Sequence, residues 1–231
     1  ALESRCLLSA APLADPAAAA IKGDGIVEYH AVICGVSDYE GTSNDLTYCD
    51  DDAKEFRDAL LKGRNWELGN TTLLLNSQVT ESNVHSAIST MGSRADSDDV
   101  CVFFFSGHGT QVPDTEPMDE KDGYDEGLCV YSFSETITDD ELGDWIGQLP
   151  TDKYVVIIDT CHSGGHIKSA NARGIGDTIP EEGDGFAADF FAAATKDLDD
   201  LGHGVVLTAC KDSEYSVEGA AWGNGLFTYH L

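Results

Sequence analysis

The sequence predicts an α/β fold in which a mainly parallel central sheet is covered by helices on both faces. Two observations predict it. Strand-like segments rich in Val, Ile and Phe alternate along the chain with segments of helical periodicity. The strand-like segments are also apolar throughout rather than at every second residue, which is typical of strands buried on both sides. We therefore expect a three-layer α/β/α sandwich.

Five strand-like segments are expected to form the sheet. Each is a short run of β-branched, aromatic or other apolar residues bounded by polar or glycine-rich turns. They span residues 28–36, 71–75, 99–105, 153–158 and 204–210. Residues 112–127 carry seven acidic residues and are expected to form a loop, followed by a further strand-like run at 128–131.

Four helices are expected between these strands. Their apolar residues recur at helical spacing, and two of them follow a threonine that can cap the first turn. The predicted helices cover residues 50–61, 80–91, 138–146 and 186–201, and the capping threonines are Thr80 and Thr138. The Ala-rich residues 1–25 read as an arm or linker, which leaves 26–231 as one domain with a glycine-rich connector at 164–185.

The charge composition restricts the kinds of molecule that the protein is expected to bind. The chain has 42 acidic and 13 basic residues, a net charge of −29. Such a surface repels nucleic acid and anionic membranes and attracts cationic substrates or divalent metals, although solubility alone also explains much of it. No apolar run is long enough to span a membrane.

Seven cysteines are scattered along the chain. The odd total excludes a complete disulfide framework, and the absence of a Cys-x-x-Cys pair argues against a zinc finger. Cys34, Cys101 and Cys129 lie in strand-like runs and are expected to be buried apolar residues. The pattern favours a reducing compartment and so leans towards the cytoplasm, but the sequence leaves the location open because extracellular thiol peptidases exist.

Two predicted strands end in residues that can carry out nucleophilic chemistry. Cys161 follows the strand at 153–158, and His108 follows the strand at 99–105 between two glycines. An imidazole beside a thiol lowers the pKa of the thiol and returns a proton to the leaving group. If the two strands are neighbours, both side chains emerge at one edge of the sheet, where the backbone N–H groups of Gly109 and Cys161 can stabilise an oxyanion.

The sequence resembles the caspase-like cysteine peptidases, and metacaspases in particular. The motifs that carry the resemblance lie at residues 103–111, 159–164, 204–210 and 224–229. The resemblance implies that His108 is the general base and acid and that Cys161 is the nucleophile. It also implies a monomer with a large-subunit-like part at 26–170 and a small-subunit-like part at 186–231, which we expect to be truncated at Leu231.

Charge near the motifs predicts the substrate. Neither motif has a neighbouring arginine, whereas Asp159 precedes Cys161 by two residues and three aspartates open the first predicted helix. Carboxylates pair with an arginine or lysine side chain. The resemblance implies cleavage of proteins or peptides after Arg or Lys, with a specificity pocket formed by Cys49, Asp52, Ser106 and Asp159.

Calcium is a further implication of the resemblance. Many metacaspases are activated by Ca²⁺ through carboxylates that match Asp125, Asp139 and Asp140. A fourth aspartate of the family corresponds to Lys168, and a cation there opposes metal binding. The acidic loop also lacks the spacing of an EF-hand, so the sequence leaves calcium dependence open.

Lys168 and Arg173 lie in the connector soon after Cys161. An enzyme that cleaves after basic residues can process itself there, although both are also ordinary solvated loop cations. Two other functions stay open. One is an Asp-specific peptidase of the caspase type, and the other is a noncatalytic scaffold with the same fold.

Overall fold

A computed structural model describes residues 22–115, 123–160, 204–209, 218–220 and 223–231. In chain order, the elements of this part are β1 (Tyr29–Gly35), α1 (Cys49–Leu60), β2 (Trp66–Leu75), a 3₁₀ turn (Asn76–Gln78), α2 (Glu81–Arg94), β3 (Val100–Ser106), β4 (Gly109–Pro113), β5 (Tyr124–Cys129), β6 (Thr136–Thr138), α3 (Asp139–Gly147), β7 (Tyr154–Asp159), β8 (Val205–Thr208), β9 (Glu218–Gly219), β10 (Asn224–Gly225) and α4 (Leu226–His230). The predicted helix at 186–201 and the connector at 164–185 lie outside the described residues. None of the helices in the described part is both long and apolar enough to cross a membrane.

Strands of the central sheet follow the order β2–β1–β3–β7–β8, and each neighbouring pair is parallel. Strand β2 is longer than predicted because it begins at Trp66 rather than Thr71. Trp66 is register partner to Tyr29 on β1, and their rings lie 5.2 Å apart, so pairing across the sheet extends the strand. The predicted α/β class with a mainly parallel sheet is confirmed.

Helix α1 covers one face of the sheet. Its Phe56 ring stacks on Phe104 of β3 with centroids 4.4 Å apart, and Ala53 joins the same apolar cluster. The start of the helix lies very close to the end of β1, where a Cβ added to Gly35 would collide with the carbonyl oxygen of Cys49. Glycine at position 35 therefore allows the first turn of α1 to approach the carboxyl edge of the sheet.

Helices α2 and α3 cover the opposite face. Both begin after a threonine whose hydroxyl accepts a helix N–H, as predicted: Thr80 from Asn83 and Thr138 from Glu141. Glu141 returns the contact by accepting the Thr138 N–H at 3.1 Å, and caps of this kind contribute about 1 kcal/mol each. The buried residues of α2 recur at helical spacing: Val84, Ala87, Ile88 and Met91.

The segment predicted as a loop at 112–127 is β-structure at both ends, because β4 runs to Pro113 and β5 begins at Tyr124, so the prediction was wrong there; residues 116–122 lie outside the described residues. Strands β4 and β5 pair antiparallel, and β6 pairs with β5. Gln111 is the register partner of Glu126 and donates a hydrogen bond to its carboxylate at 2.9 Å. Glu126 is buried. Cross-strand pairing therefore stabilises an acidic residue in a segment whose composition alone indicated a loop.

Three cysteines in the sheets are buried and free, as predicted: Cys34, Cys101 and Cys129. Burial raises the pKa of Cys34 far above its usual range and raises the pKa of Cys101 and Cys129 to about 12. A thiol with such a pKa carries almost no thiolate at neutral pH. These cysteines therefore pack in the core and are poor nucleophiles.

Candidate active site

The carboxyl ends of β3 and β7 lie side by side at one edge of the sheet. Ser106 is the register partner of Asp159, so the predicted adjacency of these strands is confirmed. The chain reaches His108 two residues after Ser106, and Cys161 two residues after Asp159. Cys161 lies outside the described residues, as do Lys168 and Arg173, and the position of the thiol stays a prediction.

His108 is buried against two aromatic rings. The ring centroids of Tyr39 and Phe133 lie 5.1 and 5.4 Å from that of the imidazole. The backbone N–H of His108 donates to the Tyr39 hydroxyl at 2.8 Å. A Cβ added to Gly107 would lie 2.7 Å from the same hydroxyl, so glycine at position 107 lets Tyr39 hold the histidine backbone.

The hydrogen bond of the His108 ring determines its tautomer. Nε2 lies 2.9 Å from the carbonyl oxygen of Asn44. Because a carbonyl oxygen only accepts, Nε2 carries a proton, and Nδ1 is the ring nitrogen left to exchange one. His108 can therefore accept a proton at Nδ1 while Asn44 holds the opposite side of the ring.

Two aspartates meet at the same edge of the sheet. Asp52 on α1, Ser106 at the end of β3 and Asp159 at the end of β7 all have 0% exposure. The Ser106 hydroxyl donates to Asp52 Oδ2 at 2.8 Å, and Ser106 is beside Asp159 in the sheet. Three of the four residues predicted for the specificity pocket are thus brought together.

Cys49, the fourth predicted pocket residue, begins α1 and is fully buried. It precedes Asp52 by three residues, so the two lie on one face of the helix. The Ser37 hydroxyl accepts the N–H of Asp50 at 2.9 Å. Cys49 therefore belongs to the helix turn that carries Asp52 to the sheet edge.

The end of the chain supplies contacts that the sequence analysis did not assign to any residue. The Gly225 N–H donates to Asp52 Oδ1 at 2.8 Å. The Thr228 hydroxyl and N–H both donate to Asp159 Oδ2, at 2.6 and 3.3 Å. The signal in the sequence was a threonine inside the apolar run Leu-Phe-Thr-Tyr, whose hydroxyl needs a partner if it is buried. The run by itself does not indicate which residue that hydroxyl binds.

Glu218 was also missed by the sequence analysis. Its carboxylate is buried and accepts the N–H groups of Thr47 and Tyr48 at 2.9 and 3.1 Å. These two residues directly precede α1, so a negative charge lies at the positive end of that helix. Glu218 thereby ties the last part of the chain to the helix that carries Asp52.

Gly109, the described member of the predicted oxyanion hole, is buried as the first residue of β4. It directly follows His108, whose carbonyl oxygen accepts the Cys129 N–H at 3.0 Å. The backbone on both sides of the imidazole is thus held by the small antiparallel sheet. The role of Gly109 toward an oxyanion stays a prediction.

The residues predicted to bind calcium lie around β5 and the start of α3. Asp125 and Asp139 are buried. Burial, followed by repulsion from Asp125, Asp144 and other carboxylates, raises the pKa of Asp140 to about 6. Burial and the neighbouring carboxylates together thus disfavour the ionised form of Asp140.

A family model of the caspase domain matches residues 28–231. Metacaspase-4 and metacaspase-6 of Arabidopsis thaliana are each 32% identical to this chain, over 66% and 67% of its length. Metacaspase-1 of Plasmodium falciparum is 31% identical over 61% of the chain. The aligned parts span 37%, 43% and 24% of those three proteins, less than half of each. These matches confirm the resemblance to metacaspases.

A crystal structure of the protein GSU0716 from Geobacter sulfurreducens has a similar fold. The TM-score is 0.63 at 25% sequence identity, and the match covers 87% of this chain and 79% of that one. The similarity thus extends over most of both chains.

Proposed function

This chain belongs to the caspase-domain family of peptidases, and we propose that it is a cysteine endopeptidase that cleaves proteins after Arg or Lys. The observation that carries the proposal is the meeting of Asp52, Ser106 and Asp159 beside the strand end that leads to His108. Buried carboxylates at this edge suit a cationic side chain next to the scissile bond.

In the proposed mechanism, His108 Nδ1 takes the proton of the Cys161 thiol. The thiolate attacks the substrate carbonyl, and the N–H groups of Gly109 and Cys161 stabilise the oxyanion. The imidazolium then protonates the leaving amine, which leaves a thioester between substrate and enzyme. His108 finally takes a proton from the water that attacks the thioester; the acid product is released, and the imidazolium returns this proton to the departing Cys161 thiolate.

The proposed specificity follows from the two aspartates. A guanidinium or ammonium group that enters beside Ser106 meets two carboxylates, and charge-assisted hydrogen bonds are about twice as strong as neutral ones. A substrate with Asp at the cleaved position meets the same carboxylates and is repelled. Cys49 and Ser106 complete the proposed pocket.

We propose that Asp125, Asp139 and Asp140 hold Ca²⁺. Antiparallel pairing of Gly127 with Thr138 supports this. Asp125 lies two residues before Gly127 and Asp140 lies two residues after Thr138, so the two aspartates lie on facing segments of the chain. Carboxylate oxygens are the ligands that Ca²⁺ prefers, and a divalent cation offsets the repulsion that, after burial, raises the pKa of Asp140. Lys168 opposes such a site if it lies close.

Calcium is tested with matched variants of the whole chain. We expect the activity to fall on chelation and Asp140→Asn to need more Ca²⁺ for half-maximal activity. Asp144→Asn is the control, since Asp144 also repels Asp140 but is exposed. Full activity in chelator would contradict the calcium proposal and leave the peptidase proposal intact.

Self-processing is proposed at Lys168 and Arg173. The support is their position in the glycine-rich stretch after Cys161, in a chain with few basic residues. Prolonged incubation of wild type and Cys161→Ala should give fragments ending at these residues in the wild type alone. Equal integrity of both proteins would contradict self-processing.

Fluorogenic peptides that end in Arg, Lys or Asp test the main proposal. We expect turnover of the Arg and Lys peptides and its loss in Cys161→Ala and His108→Ala. Turnover of the Asp peptide instead would favour an Asp-specific peptidase. No turnover, together with an unreactive Cys161, would favour a noncatalytic scaffold.

A further inference from the structure

Thr228 makes two hydrogen bonds to one carboxylate oxygen. Its hydroxyl and its backbone N–H both donate to Asp159 Oδ2, at 2.6 and 3.3 Å. Asp159 has 0% exposure and ends β7, two residues before Cys161. Two donors on one oxygen restrict rotation of the carboxylate about its side-chain bonds.

The same short segment reaches the second acidic residue. The Gly225 N–H donates to Asp52 Oδ1, while the Ser106 hydroxyl donates to Asp52 Oδ2, both at 2.8 Å. Residues 224–228 therefore contact both carboxylates of the proposed pocket. Donors at positions 225 and 228 therefore reach two aspartates that lie within the first 160 positions.

Substitution of Thr228 can remove its side-chain hydrogen bond, whereas the backbone hydrogen bonds of this segment remain. Valine has nearly the shape of threonine and lacks the hydroxyl, and serine keeps the hydroxyl. Both substitutions leave the N–H bond to Asp159 in place. The contribution of the 2.6 Å contact can therefore be measured separately from packing.

We propose that Thr228 is a positioning residue for recognition of the Arg or Lys side chain, because its hydroxyl orients the Asp159 carboxylate. This inference rests on the proposed peptidase function. Thr228 does not itself have to touch the substrate. Its loss should weaken substrate binding and leave the chemistry at Cys161 unchanged.

Steady-state kinetics of the whole chain test the inference. Thr228→Val should raise KM for an Arg peptide roughly 10- to 100-fold, the range of one hydrogen bond to a charged group. The kcat value should stay within about threefold, since an interaction made equally in the ground and transition states changes KM alone. Thr228→Ser should stay close to wild type, and Thr228→Ala repeats the loss if valine disturbs folding.

Alkylation of Cys161 supplies a second readout that does not require turnover. Thr228→Val should react more slowly than wild type with an arginyl chloromethyl ketone and at the wild-type rate with iodoacetamide, as followed by intact mass. Equal slowing with both reagents would overturn the inference, because it would indicate general damage. Unchanged KM in Thr228→Val and Thr228→Ala, or a serine variant as weak as valine, would also overturn it.

These outcomes separate the two proposals. If the wild type cleaves after Arg and the Thr228 variants keep its KM, only the positioning role fails. If the wild type does not cleave after Arg or Lys, the proposed function fails and the positioning role falls with it.

Discussion

The two ends of the central sheet both bury aspartates, but they hold them with different kinds of partner. At the amino end, Asp99 accepts the N–H groups of Glu28 and Asp96 at 2.7 and 2.9 Å and lies 3.3 Å from His30 Nε2. These partners belong to the entrance of β1 and the turn just before β3. The amino end therefore joins the segments that lead into β1 and β3, which are neighbours in the sheet although Glu28 and Asp99 lie 71 positions apart in the chain.

At the carboxyl end, the donors to Asp52 and Asp159 include Ser106, Gly225 and Thr228. They come from β3, β10 and α4, which lie far apart in the chain. Burial of an aspartate therefore does not by itself identify its role. Asp99 binds the backbone that leads into two strands, whereas Asp52 and Asp159 lie beside Ser106, two residues before His108.

The largest effect that separates the two ends is expected for Asp52→Asn. Loss of one buried charge should cost about 3 kcal/mol in transition-state binding and lower kcat/KM for an Arg peptide about 100-fold. The matched control is Asp50→Asn, because Asp50 lies on the same helix and pairs with Lys54 near solvent. Equal losses in the two variants would show that burial of the Asp52 charge does not control recognition of the Arg side chain.

Asp99→Asn should give the reverse pattern. The amide group of asparagine turns an N–H toward one of the two backbone N–H donors, which loses its acceptor. The free energy of unfolding should therefore fall by about 3 kcal/mol, the upper end of the range for a buried unsatisfied group. Urea denaturation measures the loss, and KM for the Arg peptide in the folded protein should stay unchanged. A large rise in KM would show that the amino end also determines specificity.

Gly35→Ala should affect both properties more moderately. The new methyl group would meet the Cys49 carbonyl and the Ala53 side chain, and overpacking of this kind costs about 1–3 kcal/mol. Because α1 must shift, KM for the Arg peptide should rise severalfold. Gly69→Ala is the control, since a Cβ at that exposed position meets no atom within 4 Å; equal melting temperatures would contradict the close approach.

The smallest effect is expected for Lys54→Ala. Lys54 pairs with Asp50 and Asp51 at 2.6 and 2.9 Å, but its side chain is 39% exposed. Exposed pairs contribute less than about 1 kcal/mol, so thermal unfolding and kcat/KM should change little. A tenfold change in kcat/KM would indicate that surface charge near α1, rather than buried Asp52 and Asp159, controls the choice of substrate.

Features that depend on neighbouring residues were predictable from the sequence. Thr80 and Thr138 cap helices because the groups that they bind lie three residues away. The apolar strands and the polar residues at their ends predicted the sheet and the place of His108. Resemblance to metacaspases then named Asp52, Ser106 and Asp159 before their geometry was known.

Only the tertiary structure decided which distant residues hold that site. Gly225 lies 173 positions from Asp52 and Thr228 lies 69 from Asp159, and no periodicity connects groups so far apart. The β4–β5 pairing was missed for the same reason, because Glu126 is stabilised by Gln111 across the sheet rather than by its neighbours in sequence. The order of residues establishes which chemical groups are present and which strand ends carry them. Their orientation depends on folding, because the donors to buried carboxylates come from whichever segments the sheet brings together.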